Sequence, residues 1–247
     1  MNPIKIMKVP IHPVTNEMMT GKLEEMVENP EFQSIMTPNP EMVMAARTND
    51  ELMNALSSAD LVIPDGIGLI IASKIKNLGL IERVTGIDTM ERVLKICSEQ
   101  KRSIFVLGGK PGRGEKALEK IRRSHPGITQ TGCYHGYFSE EQELTIIQMI
   151  QQEAPDVLFV CLGTPRQEIW INQYKDQLPC RLAMGAGGSV DVYAGAVKRA
   201  PHVFQKAGLE WLYRLCQEPS RLGRMTILPV FLWKAIWMKP DEELKEG

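Results

Sequence analysis

Short apolar runs alternate with amphipathic stretches along the chain between residues 30 and 190. Most of the runs are bounded by Gly, Pro or Asp, a pattern typical of buried strands. Strands are predicted at residues 32–36, 61–63, 104–107, 128–133, 157–162 and 182–184. Helices are predicted from about residues 41, 68 and 115, over 85–100 and 140–152, and around Gln167 and Trp170. This alternation predicts an α/β fold, with a Rossmann-like, mostly parallel sheet and helices on both of its faces.

Four of these strands end in clusters of turn-forming residues. The clusters are Thr37-Pro38-Asn39, Pro64-Asp65-Gly66, Gly108-Gly109 and Gly163-Thr164-Pro165. Glycines let a backbone approach a ligand closely, and the helix N-termini that follow can hold phosphate. Because ligands of open α/β sheets bind at the carboxyl ends of the strands, the four clusters together predict a ligand crevice.

Asp65 is the one carboxylate in these four strand-end clusters. A carboxylate beside a ligand crevice is a candidate catalytic base. Asp is also a common turn former and helix N-cap, and the residues alone favour this simpler interpretation.

Absent motifs narrow the chemistry of the crevice. The Gly-rich loop at residues 108–114 is neither a Walker A motif nor a clean GxGxxG followed by an acid, which disfavours an NTPase and a nicotinamide oxidoreductase. The chain contains no DxD, the motif with which many sugar-nucleotide enzymes hold Mn²⁺ or Mg²⁺, and its four His residues show no ligand spacing. A metal-free mechanism would depend on protein donors, for which Arg83, Arg166 and Gln167 are candidates.

Composition places the chain among ordinary globular proteins. Its 247 residues are 43% hydrophobic and 24% charged, with a formal net charge of -1 that gives no support to nucleic-acid binding. Five cysteines without a CxxC pair indicate reduced thiols and a cytoplasmic protein rather than a disulfide framework or zinc site. We expect neither a signal peptide nor a membrane-spanning helix, since no apolar stretch reaches about 18 residues.

The C-terminal part of the chain differs in charge from the rest. Residues 196–239 contain eight Lys or Arg and only two acids. This change predicts a boundary near Gly195, with a Rossmann-like domain at residues 1–195 and a basic, aromatic-rich helical appendage at residues 196–247.

Taken together, the segments resemble the WecG/TagA/CpsF family of glycosyltransferases. The resemblance covers most of the chain in order and is specific. It runs through TPNPE (37–41), ADLVIPDGIG (59–68), ERVTGID (82–88), HGYF (135–138), LGTPRQEIWI (162–171), GAGGSVDVYAGAVKRAP (185–201) and EWLYRLCQEPSRLGRM (210–225). Within the family, the sequence is most similar to the TagA branch of Gram-positive bacteria.

This resemblance implies a reaction. Such enzymes transfer ManNAc from UDP-ManNAc to the 4-hydroxyl of GlcNAc on undecaprenyl diphosphate, which commits the lipid to the linkage unit of wall teichoic acid. An α-linked donor that gives a β-linked product is an inversion, so no covalent enzyme intermediate is needed, and we expect no metal and no cofactor. Asp65 then becomes the expected general base, because an inverting transfer needs a group that takes the proton of the acceptor hydroxyl.

The resemblance also assigns roles to other residues. Thr37 and Asn39 are expected beside Asp65, where they would orient sugar hydroxyls. Gln167 and Arg83 are expected to contact the sugar and the diphosphate. Tyr137 could stack on uracil and Asp191 could bind the base or ribose, although Tyr137 could equally be a core residue and Asp191 a helix cap. Gly108 and Gly109 are expected to line the donor site.

A lipid acceptor gives the C-terminal appendage a role at the inner face of the cell membrane. Residues 225–238 are strongly apolar but too short to span a bilayer, and Trp233 and Trp237 share a helix face. Arg214, Arg221 and Arg224 also fall on one side of a helix, where they could bind an anionic leaflet, the lipid diphosphate or both. A helical pair that packs on the core, or on a second copy in a homo-oligomer, is the alternative.

Other functions stay open at this point. The chain could transfer another UDP-sugar, such as a ManNAc uronic acid or a hexose, in polysaccharide synthesis. It could also be a non-catalytic, membrane-associated protein that binds UDP-sugars. The combination of Asp65, Thr37 and Gln167 argues against this second alternative.

Overall fold

In the computed structural model, which describes residues 2–206, 208–217 and 227–237, the strands form two sheets. An antiparallel hairpin consists of β1 (Ile4–Ile6) and β2 (Val9–Ile11). The main sheet consists of β3 (Gln33–Met36), β4 (Leu61–Val62), β5 (Ile104–Gly108), β6 (Thr131–Tyr134), β7 (Val157–Cys161) and β8 (Leu182–Gly185). Its order is β4-β3-β8-β7-β5-β6, and every neighbouring pair is parallel.

Helices alternate with these strands and also follow the last of them. They are α1 (Asn16–Glu28), α2 (Pro40–Ala46), α3 (Asp50–Ser57), α4 (Ile67–Lys76), α5 (Gly86–Glu99), α6 (Arg113–Ser124), α7 (Glu140–Glu153), α8 (Arg166–Tyr174), α9 (Ser189–Tyr193), α10 (His202–Lys206), α11 (Glu210–Gln217) and α12 (Ile227–Trp237). A parallel strand can follow its neighbour only after a crossover, and helices α2 to α8 supply the crossovers of the main sheet.

The side chains on the two faces of the main sheet belong to two separate apolar cores. Phe105 and Leu107 of β5 belong to one core, whereas Ile104 and Val106 belong to the other. Successive side chains of a strand point to opposite faces, so a sheet covered on both sides needs apolar residues at every position. This is why β5 and β7 are buried throughout and appear in the sequence as continuous apolar runs.

The predicted architecture is confirmed, with strand and helix ends that shift by one to three residues. The β1–β2 hairpin, α1 and α3 were not predicted. Helix α1 nevertheless carries a helical signal, since its buried residues Met19, Leu23, Met26 and Val27 recur at spacings of three and four.

Helix α12 packs on the body of the protein. It lies against α2 and α4, with Leu228 and Phe231 next to Gly68 of α4. Phe231 is completely buried and belongs to the same apolar core as Leu69 of α4. Within the described residues, no helix combines the length and hydropathy needed to cross a bilayer.

Candidate active site

The ends of β3 and β4 bring Thr37 and Asp65 to the same edge of the sheet. Ile35 and Met36 pair with Leu61 and Val62, and the pairing continues past the strands. The backbone N–H of Asp65 donates to the carbonyl of Pro38 at 3.1 Å. Asp65 therefore lies beside the Thr37-Pro38-Asn39 turn, where the side chain is half-buried.

Gly86, the first residue of α5, marks the point where the two side chains converge. A Cβ atom at this position would lie 3.3 Å from Thr37 Oγ1 and 3.4 Å from Asp65 Oδ2. Any side chain at residue 86 would therefore crowd both groups. The positive end of the α5 dipole also faces this point, which favours negative charge there. The result is a polar cluster that consists of a hydroxyl, a carboxylate and a helix N-terminus.

Hydrogen bonds attach both Thr37 and Gln167 to residues at the end of β8 and in the turn that follows it. Thr37 Oγ1 donates to the carbonyl of Gly185, the last residue of β8, at 3.3 Å. The backbone N–H of Gly187 donates to Gln167 Oε1 at 3.1 Å, and Gln167 Nε2 donates to Glu168 Oε1 at 2.6 Å. Gln167 is only 2% exposed. Its amide thus contacts the turn that follows β8, and one of its two N–H groups donates to Glu168.

Glu168 is a buried acid that sequence reasoning missed. Its side chain is completely buried, and burial raises its pKa to about 7 despite a hydrogen bond from Gln167, which acts in the opposite direction. Its Oε2 is buried without a hydrogen-bond partner among the described residues. In the sequence Glu168 looks like an ordinary charge in the first turn of a helix, so nothing there indicated its burial.

Arg83 forms an ion pair with the C-terminal segment. Its Nη2 lies 2.5 Å from Glu210 Oε2 of α11, and both side chains are largely buried. Arg199 Nε lies 3.7 Å from Glu210 Oε1, and Arg199 Nη1 lies 2.7 Å from Asp88 Oδ1 of α5. Burial raises the pKa of Asp88, but hydrogen bonds from Arg199 and Thr85 outweigh it and hold that pKa below its ordinary value. Through this four-residue network Arg83, the residue expected to contact the diphosphate, is connected to the C-terminal appendage.

Asn39 has a local structural role. Its side-chain oxygen accepts from the backbone N–H of Met42 at 2.9 Å and so caps α2. The amide nitrogen is the part of Asn39 that this cap leaves for a ligand.

Gly108, Gly109, Tyr137 and Asp191 lie near one another at the β5 and β6 side of the edge. Gly108 has a φ of +136°, and a Cβ there would collide with the carbonyl of Cys161, so only glycine fits. The N–H of Gly136 donates to the carbonyl of Gly109 at 2.8 Å, which places exposed Tyr137 directly beside this loop.

Arginines support the same part of the edge. Asp191 Oδ1 lies 3.7 Å from Arg113 Nε. Arg166, a candidate phosphate ligand, donates to the carbonyls of Gly136 and Phe138 and stacks over the Phe138 ring at 4.2 Å. Arg166 therefore holds the turn that carries Tyr137.

The predicted lipid-binding arginines fall largely outside this description. Arg214 belongs to α11, but its side chain is not described, and Arg221 and Arg224 lie outside the described residues.

A model of the WecG/TagA/CpsF glycosyl transferase family matches residues 4–244. The chain belongs to this family of glycosyltransferases. A protein of Staphylococcus aureus (strain MRSA252) is 36% identical over 81% of this chain and 78% of its own length. One of Bacillus spizizenii (strain ATCC 23059 / NRRL B-14472 / W23) is 37% identical over 80% and 76%. Both are named N-acetylglucosaminyldiphosphoundecaprenol N-acetyl-beta-D-mannosaminyltransferase.

In this WecG/TagA/CpsF enzyme the expected residues thus form two groups at one edge of the sheet. Thr37, Asp65 and Gln167 surround the ends of β3, β4 and β8, whereas Tyr137 and Asp191 lie near the ends of β5 and β6. Three strand spacings, about 14 Å in all, separate β3 from β5. An extended nucleotide-diphosphate sugar can bridge a span of that size.

Proposed function

We propose that this glycosyltransferase moves ManNAc from UDP-ManNAc to the 4-hydroxyl of GlcNAc on undecaprenyl diphosphate. The product would be a β-linked disaccharide on the lipid, the committed intermediate of wall teichoic acid linkage-unit synthesis. The names of the S. aureus and B. spizizenii relatives support the acceptor and the sugar. The observation that carries the proposal is the convergence of Asp65 and Thr37 on Gly86 at the carboxyl edge of the sheet.

The transfer itself would be a single inverting displacement. The Asp65 carboxylate takes the proton of the acceptor 4-hydroxyl as its oxygen attacks the anomeric carbon of the donor sugar. The new C–O bond forms as the bond to the diphosphate breaks, and UDP leaves with the electron pair of that bond. Thr37, linked to the end of β8, orients a sugar hydroxyl beside Asp65.

Negative charge that develops on the departing diphosphate needs donors near it. Arg83 is the candidate, since its guanidinium carries five N–H groups and Glu210 engages only part of them. The Arg83 guanidinium, which Glu210 holds in place, and the helix dipole of α5 would stabilise this charge without a metal ion. At the other end of the donor, Tyr137 would stack on uracil and Asp191 would accept from the base or ribose, with Gly108 and Gly109 against the nucleotide.

Turnover of a synthetic GlcNAc-diphosphate-lipid against a panel of UDP-sugars, with and without EDTA, tests this proposal. We expect turnover with UDP-ManNAc, at least tenfold slower turnover with UDP-GlcNAc and UDP-glucose, and no effect of EDTA. Faster turnover with a different UDP-sugar would reassign the donor. Loss of activity in EDTA that is restored by Mg²⁺ or Mn²⁺ would contradict the metal-free mechanism.

We further propose that α12 and the adjacent helix α4 dock on an anionic bilayer. Trp233 and Trp237 of α12 are 62% and 70% exposed, and Ile71 and Ile75 of α4 are 38% and 51% exposed. Residues 66–81 and 225–239 contain basic side chains but no acid. Exposed aromatic and aliphatic side chains beside basic residues suit the boundary between headgroups and acyl chains.

Replacing Ile75 and Trp233 by Glu is expected to weaken binding to phosphatidylglycerol vesicles by at least tenfold, because each change removes a large apolar side chain from the contact. Affinity for UDP in solution should not change. The matched control is Leu144→Glu on α7, since Leu144 is 63% exposed but belongs to neither helix. Vesicle sedimentation measures the binding. Equal losses for Leu144→Glu and the double variant would refute a specific docking surface.

A further inference from the structure

Glu168 is an unusual choice for its position. It is completely buried in α8, and the groups that contact its Oε1 are neutral: the amide of Gln167 and, at 3.5 Å, the hydroxyl of Thr164. A buried carboxyl destabilises a fold unless its interactions compensate for the loss of hydration. Its raised pKa, about 7, reflects that burial. A packing role alone would be served better by an apolar side chain of similar volume.

The geometry gives Glu168 a definite effect on Gln167. A side-chain amide can be rotated by 180°, which exchanges its oxygen and its nitrogen. Here the N–H of Gly187 requires the oxygen on one side, and the carboxyl oxygen of Glu168 requires the nitrogen on the other. The two contacts together allow only one orientation of the amide. Without the acceptor at residue 168, only the contact with Gly187 would remain to select it.

The fixed amide of Gln167 contacts the end of β8, and the last residue of β8 in turn contacts Thr37. Gln167 Nε2 is 3.0 Å from the position that a Cβ of Gly185 would occupy, so the amide packs directly on the end of β8. The carbonyl of the same Gly185 accepts from Thr37. Displacing the amide would therefore disturb both the turn at residues 185–187 and the hydroxyl beside Asp65.

We infer that Glu168 is a positioning residue for the sugar subsite: by holding the Gln167 amide in one orientation, it sets the second N–H of that amide and the turn at residues 185–187 for the donor sugar. This inference rests on the proposed function, since it places the sugar of the UDP-sugar at the β8 end of the site. It assigns to Glu168 no contact with the reacting atoms and no proton transfer.

Two substitutions separate the acceptor role from charge and packing. Glu168→Gln keeps an oxygen that can accept from Gln167 and removes the charge, whereas Glu168→Leu removes the acceptor. Calorimetry should measure the affinity of each variant for UDP-ManNAc and for UDP. We expect Glu168→Leu to bind UDP-ManNAc about 10- to 100-fold more weakly, as befits the loss of a hydrogen bond to a carboxylate, and to bind UDP as the unaltered protein does. Glu168→Gln should remain within about threefold for both ligands.

A double-mutant cycle with Gln167→Ala tests whether Glu168 acts through Gln167. The combined variant should bind UDP-ManNAc no more weakly than Gln167→Ala alone. Additive losses would overturn the inference, as would UDP-ManNAc affinity that is unchanged in Glu168→Leu or a parallel loss of UDP affinity. Thermal melts verify folding, and Glu168→Met replaces the Leu variant if that one does not fold.

These binding measurements are independent of turnover. Binding of UDP-ManNAc that depends on Glu168, without transfer to the lipid acceptor, would refute the proposed function and leave the inference standing. Transfer to the lipid acceptor by a Glu168→Leu variant that binds UDP-ManNAc normally would refute the inference and leave the proposed function standing. A protein that does not bind UDP-ManNAc at all would refute both.

Discussion

Replacing Asp65 by Asn is expected to reduce the rate of sugar transfer by about 10²–10⁴-fold, because Asn cannot accept the proton of the acceptor hydroxyl. Asp and Asn side chains have nearly the same shape, so the cluster formed with Thr37 and Gly86 should persist. The variant should therefore bind UDP-ManNAc with unchanged affinity. Its kcat should fall, whereas its KM should stay the same. Initial rates on the GlcNAc-diphosphate-lipid and calorimetric titration with UDP-ManNAc measure the two quantities.

Asp60→Asn is the matched control for this change. Asp60 and Asp65 flank the same short strand β4, but Asp60 lies at its amino end, where its Oδ2 accepts from the backbone N–H and the hydroxyl of Ser34. Its replacement should lower stability and leave the transfer rate of the folded protein unchanged. A near-normal rate for Asp65→Asn would return Asp65 to the role of a turn former.

Replacing Phe231 by Ala is expected to lower the free energy of unfolding by about 3–5 kcal/mol, the range found for large aromatic side chains removed from a core. Phe231 is completely buried where α12 meets α2 and α4. In a chain of this size the melting temperature should fall by roughly 10 °C. Thermal unfolding followed by circular dichroism measures the change.

Trp237→Ala provides the comparison on the same helix. Trp237 is 70% exposed, so its loss in solution should alter stability by no more than about 0.5 kcal/mol. Equal melting temperatures for Phe231→Ala and the unaltered protein would mean that α12 does not pack on the core in solution.

The sequence predicts the main sheet well because its central strands are buried on both faces. Strands such as β5 and β7 need an apolar residue at every position, and that requirement leaves a visible run in the chain. The β1–β2 hairpin leaves a weaker trace, since each of its strands has three residues and one contains Pro10. Helix α3 is only eight residues long, too short for a reliable periodic signal.

The candidate site is predictable where a residue's place follows from the end of a strand. Thr37 and Asp65 come directly after β3 and β4, and parallel strands bring their carboxyl ends to one edge. The ion pair of Arg83 with Glu210 joins positions 127 residues apart and depends on how α11 packs on the body. The burial of Glu168 likewise depends on which face of α8 meets the sheet. Tertiary packing decides both.

The boundary predicted at residue 195 comes from charge, and charge alone says little about packing. Residues beyond it contribute Phe231 to the apolar core that contains Leu69, and Glu210 to the ion pair with Arg83. The assignment of residues 196–247 to lipid engagement remains a prediction, and these two contacts show that α11 and α12 also pack on the folded body.

Helix α4 also sets the distance between Asp65 and the proposed membrane contacts of that helix. It begins two residues after Asp65 and spans ten residues, or about 15 Å along its axis. Its outer face carries Ile71 and Ile75, which the proposed docking places at the bilayer surface. The helix would then limit the distance of the proposed base, Asp65, from the Ile75 contact to roughly 20 Å, the rise of the helix to Ile75 plus the two residues that precede it. An acceptor whose sugar stands much farther from its lipid anchor would miss the base.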